Sequence, residues 1–261
     1  MKAYMFLIVF FISSCGHLFF HPHRNQYTEK SKQIVFQTKD GYQLQGRILR
    51  NSLAKCKGVV IHFHGNAANM DNHQPQVEWL TTYGYDVFMF DYRGYGESEG
   101  TASRYGLLLD SEAAIDFVIS QNQWKQIYLF GQSLGGNQAI SALNKKRQKH
   151  IDAIVIDSSF YTYASVANDM IGGCFFTYPL TWSLVGGNCY SAASHLPHIT
   201  TPIFIFHGKN DKVIDISHGY NLYEIANEPK KFMAVDNCRH LYATGKSHVR
   251  QQMMQFLDLP R

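Results

Sequence analysis

The sequence lacks any apolar run long enough to cross a membrane as a helix, and it lacks a clustered basic stripe. Its longest apolar run, residues 3–12, has ten residues, whereas a membrane-spanning helix needs about 20. The 24 Lys and Arg residues exceed the 20 Asp and Glu residues only slightly, which excludes a typical nucleic-acid-binding surface. One basic run, residues 144–150, lies where a predicted helix ends, and there it favours a solvated helix end over a binding patch. With no repeat or low-complexity tract, the chain is expected to form one large domain.

The N-terminus has the pattern of an export signal. Lys2 precedes the apolar run, small residues follow, and "ISSC" ends at Cys15 in the manner of a bacterial lipobox. We therefore predict a signal peptide over residues 1–14, cleaved before a lipidated Cys15, and an N-terminal tether over residues 15–32. An ordinary secretory signal or an uncleaved anchor are the alternatives.

Two further expectations concern exported segments. The apolar stretch "LFFHP" at 18–22 should either lie along the membrane or dock on the domain. Export also permits disulfides, and Cys174 and Cys189 share one irregular segment. Their spacing favours a disulfide between them without establishing it.

Short apolar runs rich in β-branched and aromatic residues recur from residue 33 onward, as is typical of strands in a parallel sheet. Two runs flank Asp40-Gly41, a two-residue turn pair that predicts a β-hairpin. Apolar residues at helical spacing fill 103–120 and the end of the chain. The fold class is therefore α/β, a mostly parallel, doubly wound sheet with an N-terminal antiparallel hairpin. It spans residues 33–261 and carries a small aromatic, glycine-punctuated cap insertion at about 160–200.

The segment "LFGQSLGG" places Ser133 between a predicted strand and a helix predicted over about 134–147. In this context the pattern G-x-S-x-G, which runs here from Gly131 to Gly135, predicts a nucleophile elbow. The flanking positions must be glycine because side chains there would collide with the neighbouring strand and helix. Alone the motif is weak, since Ser133 could also be a plain helix cap, but strand–turn–helix context strengthens it.

A nucleophilic serine needs an acid and a histidine on later loops. Asp211 follows one predicted strand and His240 follows the next. In these roles Ser133 attacks, His240 takes its proton and Asp211 fixes the imidazole tautomer. Asp215 is the competing acid, although it is better placed to cap the next helix. Asp236 is expected to brace His240.

Acyl transfer also needs two backbone N–H groups for the oxyanion. One should be that of Leu134, directly after the nucleophile. The other should come from the loop after the early strand "GVVIHFHG", where Gly65 allows the chain to turn and Asn66 is the predicted donor. A simple strand-to-helix loop capped by Asn66 is the alternative.

Other polar residues at strand ends fit no metal pattern. His62, His64 and His207 lack a Cys or carboxylate at ligand spacing, so no metal is expected, and His64 should help to shape the following loop. Asp91 and Asp157 end earlier strands and should act as turn, capping or site-lining residues.

Five motifs occur in order along the chain: "HFHGNAANM", "FDYRGYGESEG", "LFGQSLGG", "HGKNDKVI" and "RHLYA". Together they make residues 33–258 resemble the α/β-hydrolase superfamily, in the branch that holds Bem-type hydrolases and mammalian depalmitoylases. The resemblance implies the α/β-hydrolase fold and a catalytic triad of Ser133, Asp211 and His240. It implies oxyanion amides at Asn66 and Leu134, and neither metal nor cofactor. One departure is that Cys238-Arg239 precedes the histidine where the family often has glycines, so Arg239 is expected to affect what approaches the base.

The expected function is hydrolysis of acyl esters or thioesters through an acyl-enzyme, on a small-molecule or lipid substrate. Aromatic residues of the insertion would supply either an apolar wall for the acyl chain or plain packing. With Cys15 lipidated, the exported members of the resembled family imply a bacterial membrane-anchored lipoprotein on the periplasmic face. The outer membrane is favoured because Gly16 provides no acidic inner-membrane retention residue. A serine aminopeptidase, or a non-catalytic membrane-tethered binding protein on the same scaffold, are the rivals.

Overall fold

The computed structural model describes residues 19–24, 27, 33–173, 176–184 and 187–259. The strands are β1 (His21–Pro22), β2 (Gln33–Gln37), β3 (Gln43–Leu49), β4 (Gly58–Phe63), β5 (Ala67–Ala68), β6 (Tyr85–Phe90), β7 (Ile127–Gln132), β8 (Ala153–Asp157), β9 (Ile203–Gly208) and β10 (Lys230–Val235). The helices are α1 (Met70–His73), α2 (Arg104–Gln121), α3 (Leu134–Ser141), α4 (Lys145–Gln148), α5 (Tyr163–Met170), α6 (Tyr178–Leu184), α7 (Ala192–His195), α8 (Ile216–Ile225) and α9 (Ser247–Leu257). Short 3₁₀ helices cover Gln74–Gln76, Glu78–Tyr83, Leu196–His198 and Ala243–Gly245.

In this part of the chain, eight strands form the central sheet in the order β10-β9-β8-β7-β4-β6-β3-β2. The hairpin β2–β3 and the pair β3–β6 are antiparallel, and the remaining neighbours are parallel. The predicted fold class is confirmed. Because all the parallel strands point the same way, their carboxyl ends meet at one edge, where ligands bind in such sheets.

The hairpin loop is one residue longer than the turn pair predicted. The N–H of Thr38 donates to the carbonyl of Tyr42 at 2.9 Å, and the N–H of Gly41 donates to the carbonyl of Thr38 at 3.0 Å. The loop is therefore Lys39-Asp40-Gly41, with Gly41 at φ 90°. A three-residue loop of this kind needs a left-handed residue, which glycine adopts without steric cost.

Both faces of the parallel strands are covered, as their continuous apolar sequences require. Along β4, the side chains of Val59 and Ile61 join the apolar cluster that contains Leu107 of α2. The intervening Val60 joins the opposite cluster, which contains Met253 of α9. Because successive side chains of a strand point to opposite faces of the sheet, one apolar run contributes to the hydrophobic core on each face.

The single helix predicted over 134–147 is wrong. The helix α3 ends at Ser141 and α4 begins separately, because the Asn144 side chain accepts hydrogen bonds from the N–H groups of Lys146 and Arg147 and so caps a new helix. Arg147 is itself buried and paired with Asp116 at 2.6 Å. The basic run is therefore not a wholly solvated helix end.

Between β8 and β9 the described part of the chain carries α5, α6 and α7. Thr162 opens α5 with a capping box. Of the aromatic residues in this insertion, Phe160 and Tyr163 are buried, whereas Trp182 is exposed. Met170, the last residue of α5, is exposed as well.

Residues 19–24 and Tyr27, within the predicted tether, lie against the domain. The short strand β1 pairs in parallel with β5, with His21 opposite Ala67. Tyr27 is buried. Of the two expectations for the stretch 18–22, the described residues dock on the domain.

The predicted signal peptide, Cys15 and Cys174 lie outside the described residues. Cys189 is an exposed free cysteine. Among the helices that the structure describes, none combines the length and the apolar character needed to cross a bilayer.

Candidate active site

Ser133 lies on the turn between β7 and α3, with φ 55° and ψ −118°. A non-glycine residue in such a conformation costs on the order of 1–3 kcal/mol and persists only when neighbours hold it. Here the Ser133 N–H donates to the carbonyl of Asp157 at 2.9 Å. The hydroxyl of Ser159 donates to the carbonyl of Ser133 at 2.8 Å. This is the strained strand–turn–helix geometry that the motif predicts.

Two flanking glycines make the turn possible. A Cβ at Gly131 would lie 2.5 Å from Cα of Gly136 in the following helix. A Cβ at Gly135 would overlap the carbonyl oxygen of Phe63, the last residue of β4. The predicted steric reason for glycine at both positions is confirmed.

Asp211 and His240 are brought together from the loops that follow β9 and β10. The Nδ1 atom of His240 lies 2.7 Å from Oδ2 of Asp211, whose side chain is fully buried. The other carboxylate oxygen accepts hydrogen bonds from the N–H groups of Val213 and Ile214, at 2.9 and 3.0 Å. Burial raises the pKa of Asp211, but hydrogen bonds from His207 and His240 outweigh it and hold that pKa well below its usual range. Asp211 is therefore an ionised partner for the imidazole.

His207 is a site residue that sequence reasoning missed. Its Nε2 atom lies 2.9 Å from the carbonyl oxygen of Ile214 and 3.3 Å from Oδ2 of Asp211. From β9, His207 thus helps to hold the Asp211 carboxylate in place. Its position near the end of β9, four residues before Asp211, is visible in the sequence, but a histidine at a strand end equally suggests a metal ligand. In the described part of the chain, no group of three or more His, Cys, Asp or Glu residues is placed to hold a metal ion.

The loops around the serine meet at Gly65. A Cβ there would lie 3.7 Å from both Cβ of Ser133 and Cδ1 of Leu241, the residue after the histidine. Leu241 has φ 59°, a left-handed conformation that turns the chain directly after His240. Among the described residues, no hydrogen bond joins Ser133 to His240. Such bonds are often long in substrate-free hydrolases and tighten when substrate binds.

The two predicted oxyanion donors are available. Within the described residues, neither the N–H of Leu134 nor that of Asn66 donates a hydrogen bond. Leu134 begins α3, so its N–H also lies at the positive end of that helix. Gly65, immediately before Asn66, lies where an added Cβ would contact Cβ of Ser133.

Two histidines, one directly after β4 and one at the end of α1, hold this loop, called here the oxyanion loop (residues 65–68). His64 Nδ1 donates to the carbonyl of Gly65 at 2.7 Å, which agrees with the expectation that His64 shapes the loop. His73 Nε2 donates to the carbonyl of Ala67 at 2.9 Å. Burial, and then the neighbouring His64, lower the pKa of His73 to about 4. At neutral pH it is therefore a neutral donor.

A buried polar network lies beneath the nucleophile. Gln132 Nε2 donates to Oδ2 of Asp157 at 3.0 Å, and Gln132 Oε1 accepts from Nε2 of His62 at 3.0 Å. Burial raises the pKa of Asp157, although the hydrogen bond from Gln132 opposes the shift. Asp157 thus braces the serine backbone through its carbonyl and the turn through its side chain.

The remaining carboxylates have other roles. Asp215 caps α8 by accepting a hydrogen bond from the N–H of Ser217 at 2.9 Å, as predicted. The prediction that Asp236 braces His240 is wrong, because its exposed carboxylate pairs with Lys209 at 2.7 Å. Arg239, expected near the base, is exposed and stacks over the ring of Tyr242.

A serine on a strained strand-to-helix turn, followed in the chain by an Asp–His pair on strand-end loops, is the arrangement of nucleophilic hydrolases. A family model described as "Serine aminopeptidase, S33" matches residues 54–178. The chain is 35% identical over 269 residues to YfhR of Escherichia coli strain K12, covering 96% of this chain and 92% of that one. It is also 28% identical over 196 residues to the lysophosphatidylserine lipase ABHD12 of Mus musculus, and the match covers 70% of this chain and 48% of that protein. The solved structure of the Pyrococcus furiosus esterase Pf2001 matches with a TM-score of 0.71 at 21% identity, and the match covers 92% of this chain and 97% of the esterase chain. The chain belongs to the α/β-hydrolase superfamily.

Proposed function

We propose that the chain is a serine hydrolase that cleaves acyl esters or thioesters through an acyl-enzyme intermediate. The observation that carries the proposal is the 2.7 Å hydrogen bond between His240 and the buried, ionised Asp211. That bond fixes the proton on Nδ1 and leaves Nε2 as the base. Ser133, on the elbow beside the same loop, is then the nucleophile.

The chemistry balances without a metal or cofactor. Ser133 Oγ attacks the acyl carbonyl while His240 Nε2 takes its proton, and the N–H groups of Asn66 and Leu134 stabilise the oxyanion. The tetrahedral intermediate breaks its bond to the leaving oxygen or sulfur, which receives the proton from His240. Water then attacks the acyl-enzyme, with His240 again as base, and Ser133 regains its proton.

We propose an apolar acyl chain as the substrate's acid portion. The insertion between β8 and β9 exposes the apolar side chains of Met170, Leu180 and Trp182. Apolar surface of this kind suits an acyl chain. The lipase name of the ABHD12 relative supports a lipid ester as the class of substrate.

An aminopeptidase is the second candidate, favoured by the description of the matching family model. It would need a free carboxylate for the substrate's α-amino group. Asp169 is the sole acidic residue of the insertion at 160–200, and its carboxylate is bound to Nε2 of His218 at 2.7 Å. Because this carboxylate is already paired with His218, we rank aminopeptidase activity below ester hydrolysis.

The test is hydrolysis of p-nitrophenyl esters and acyl thioesters of graded chain length, beside aminoacyl anilides. Ser133→Ala should abolish ester turnover, whereas Ser120→Ala, a serine on the outer part of α2 whose hydroxyl bonds to the carbonyl of Phe117, should retain it. Full ester activity in Ser133→Ala would refute the proposed nucleophile. Turnover confined to aminoacyl anilides would favour the second candidate.

We also propose that the chain is exported and anchored to a bacterial membrane through a lipidated Cys15, on the periplasmic face and with the outer membrane favoured. Phe19, four residues after Cys15, is docked beside the oxyanion loop. Four extended residues span at most about 14 Å, so the anchor would hold the oxyanion loop near the bilayer surface. Alkyne-palmitate labelling in cells should mark the wild type and not Cys15→Ala. Equal labelling of both proteins would contradict the anchor.

A further inference from the structure

Both polar atoms of the Asn66 side chain bind the backbone of the N-terminal segment. Asn66 Nδ2 donates to the carbonyl of Phe19 at 2.5 Å. The N–H of His21 donates to Asn66 Oδ1 at 3.3 Å, and the hydroxyl of Tyr95 donates to the same oxygen at 2.9 Å. The predicted oxyanion residue is therefore held from outside its own loop, by a segment about 45 residues earlier in the chain and by Tyr95, whose hydroxyl also lies 2.8 Å from the Asn66 carbonyl oxygen.

The same segment is fastened to the domain farther along. The hydroxyl of Tyr27 donates to Asp91 Oδ2 at 2.6 Å. The other oxygen of that carboxylate accepts from the N–H of Met70, the first residue of α1, at 2.8 Å. Asp91 is fully buried. One carboxylate thus ties the N-terminal segment to the point where the oxyanion loop ends and α1 begins.

The ring of Phe19 connects this loop to the insertion. Its centroid lies 5.3 Å from that of Tyr163 and 6.4 Å from that of Phe160, in edge-on geometry. Phe20, the next residue, is buried in the main core. The segment therefore spans the gap between the oxyanion loop and the first helix of the insertion.

We propose that residues 19–24 together with Tyr27 are a positioning element of the active site, which fixes Asn66 and with it the direction of the oxyanion-binding N–H. The inference rests on the proposed function, because it assumes that this N–H binds the oxyanion. Stabilisation of a developing oxyanion depends on donors held in place before the reaction begins. The oxyanion loop has little regular structure of its own, since its strand β5 pairs with β1 of this same segment.

The hydrogen bond from His21 can be removed without touching a buried side chain. His21→Pro deletes the N–H that donates to Asn66, whereas His21→Ala retains it. Both changes remove the same side chain, which is exposed in the wild type. Proline is tolerated on edge strands such as β1. We expect kcat for a p-nitrophenyl ester to be about 10- to 100-fold lower in His21→Pro than in His21→Ala, with KM within about threefold.

A second readout separates positioning from general loosening of the fold. Sulfur in place of the carbonyl oxygen weakens hydrogen bonding in the oxyanion hole, so a well-ordered hole favours an ester over its thionoester. The ester-to-thionoester rate ratio should fall in His21→Pro relative to His21→Ala. Equal kcat and equal ratios in the two folded variants would overturn the proposal.

Tyr27→Phe tests the same element from its other end and decides the question if His21→Pro does not fold. It removes the hydroxyl bound to Asp91 and keeps the ring. A lower kcat with a lower ester-to-thionoester ratio is expected, and wild-type values of both would overturn the proposal. Ser133→Ala separates failure of the proposed function from failure of this inference. Ester turnover in Ser133→Ala would contradict the proposed function itself. An inactive Ser133→Ala beside His21 and Tyr27 variants of unchanged kcat and rate ratio would contradict this inference alone.

Discussion

Asp211 receives hydrogen bonds from two histidines and two backbone N–H groups, and it keeps its charge despite burial. Asp211→Asn preserves the shape of this side chain but removes the charge that orients and stabilises the His240 imidazolium. We expect kcat for ester hydrolysis to fall about 10³- to 10⁴-fold while the protein stays folded. Steady-state kinetics beside circular dichroism provide the measurement. A loss below about tenfold would show that another group serves as the acid.

The depressed pKa of Asp211 also predicts how stability depends on pH. A carboxyl whose pKa is lower in the folded state stabilises that state above its unfolded pKa, about 3.9, and loses this contribution as pH falls toward the folded value. The difference in free energy of unfolding between wild type and Asp211→Asn should therefore be largest at neutral pH and shrink below about pH 4. Urea denaturation across this range measures it, and a difference that grows with acidity would contradict the assignment.

Gly135 offers a steric test of the elbow. A methyl group there would overlap the carbonyl oxygen of Phe63, whereas one at the exposed Gly245 would meet nothing within 4 Å. We expect Gly135→Ala to lose activity and several kcal/mol of stability, or to fail to fold, because backbone must move. Gly245→Ala should lie within about 0.5 kcal/mol of wild type. Similar melting temperatures for the two variants would refute the close approach of α3 to β4.

Local pattern predicts some of these residues and not others. Ser133 follows from a motif, and Asp211 and His240 follow from their places after strands, because parallel strand ends converge at one edge of the sheet. The supporting role of His207 and the outward position of Asp236 depend on side-chain directions across two loops. No local sequence pattern encodes those directions.

Elements show the same division. The parallel strands and α2 are predictable because continuous apolar runs and helical spacing of apolar residues are strong patterns. The break between α3 and α4 is not, since Asn144 could equally occur within a helix and only its bonds to the next turn mark it as a cap. The hairpin loop differs from its prediction by one residue for a comparable reason, because a single glycine serves turns of either length.

A histidine on α8 makes two of the hydrogen bonds that join the insertion to the domain. His218 Nε2 donates to Asp169 of α5, and His218 Nδ1 accepts from the N–H of Tyr161 at 3.0 Å. His218→Ala leaves that partly buried N–H unpaired and a void behind it, so we expect a loss of about 2–4 kcal/mol in free energy of unfolding. Asp169→Asn keeps an acceptor at a half-exposed position and should change stability by under about 1 kcal/mol. Equal losses in urea titrations of the two variants would contradict this division of roles.

At the scale of the whole molecule, the sheet order brings the ends of β4, β7, β8, β9 and β10 to one edge, and every candidate catalytic group lies there. Sequence pattern predicts this architecture. It does not predict that the segment after Cys15 returns to hold Asn66, because that docking depends on backbone carbonyl and N–H groups, which have no sequence signature. The molecule thus joins its proposed membrane attachment to its proposed catalytic machinery within about a dozen residues of chain.

Labelling with a fluorophosphonate tests the activated serine most directly. Wild type, Ser133→Ala and His240→Ala would be labelled in parallel, and the adduct located by peptide mass spectrometry. We expect one adduct, on Ser133, that is absent from Ser133→Ala and strongly reduced in His240→Ala. A folded wild type that resists labelling, or an adduct on another serine, would contradict the assignment of this site as a serine hydrolase centre.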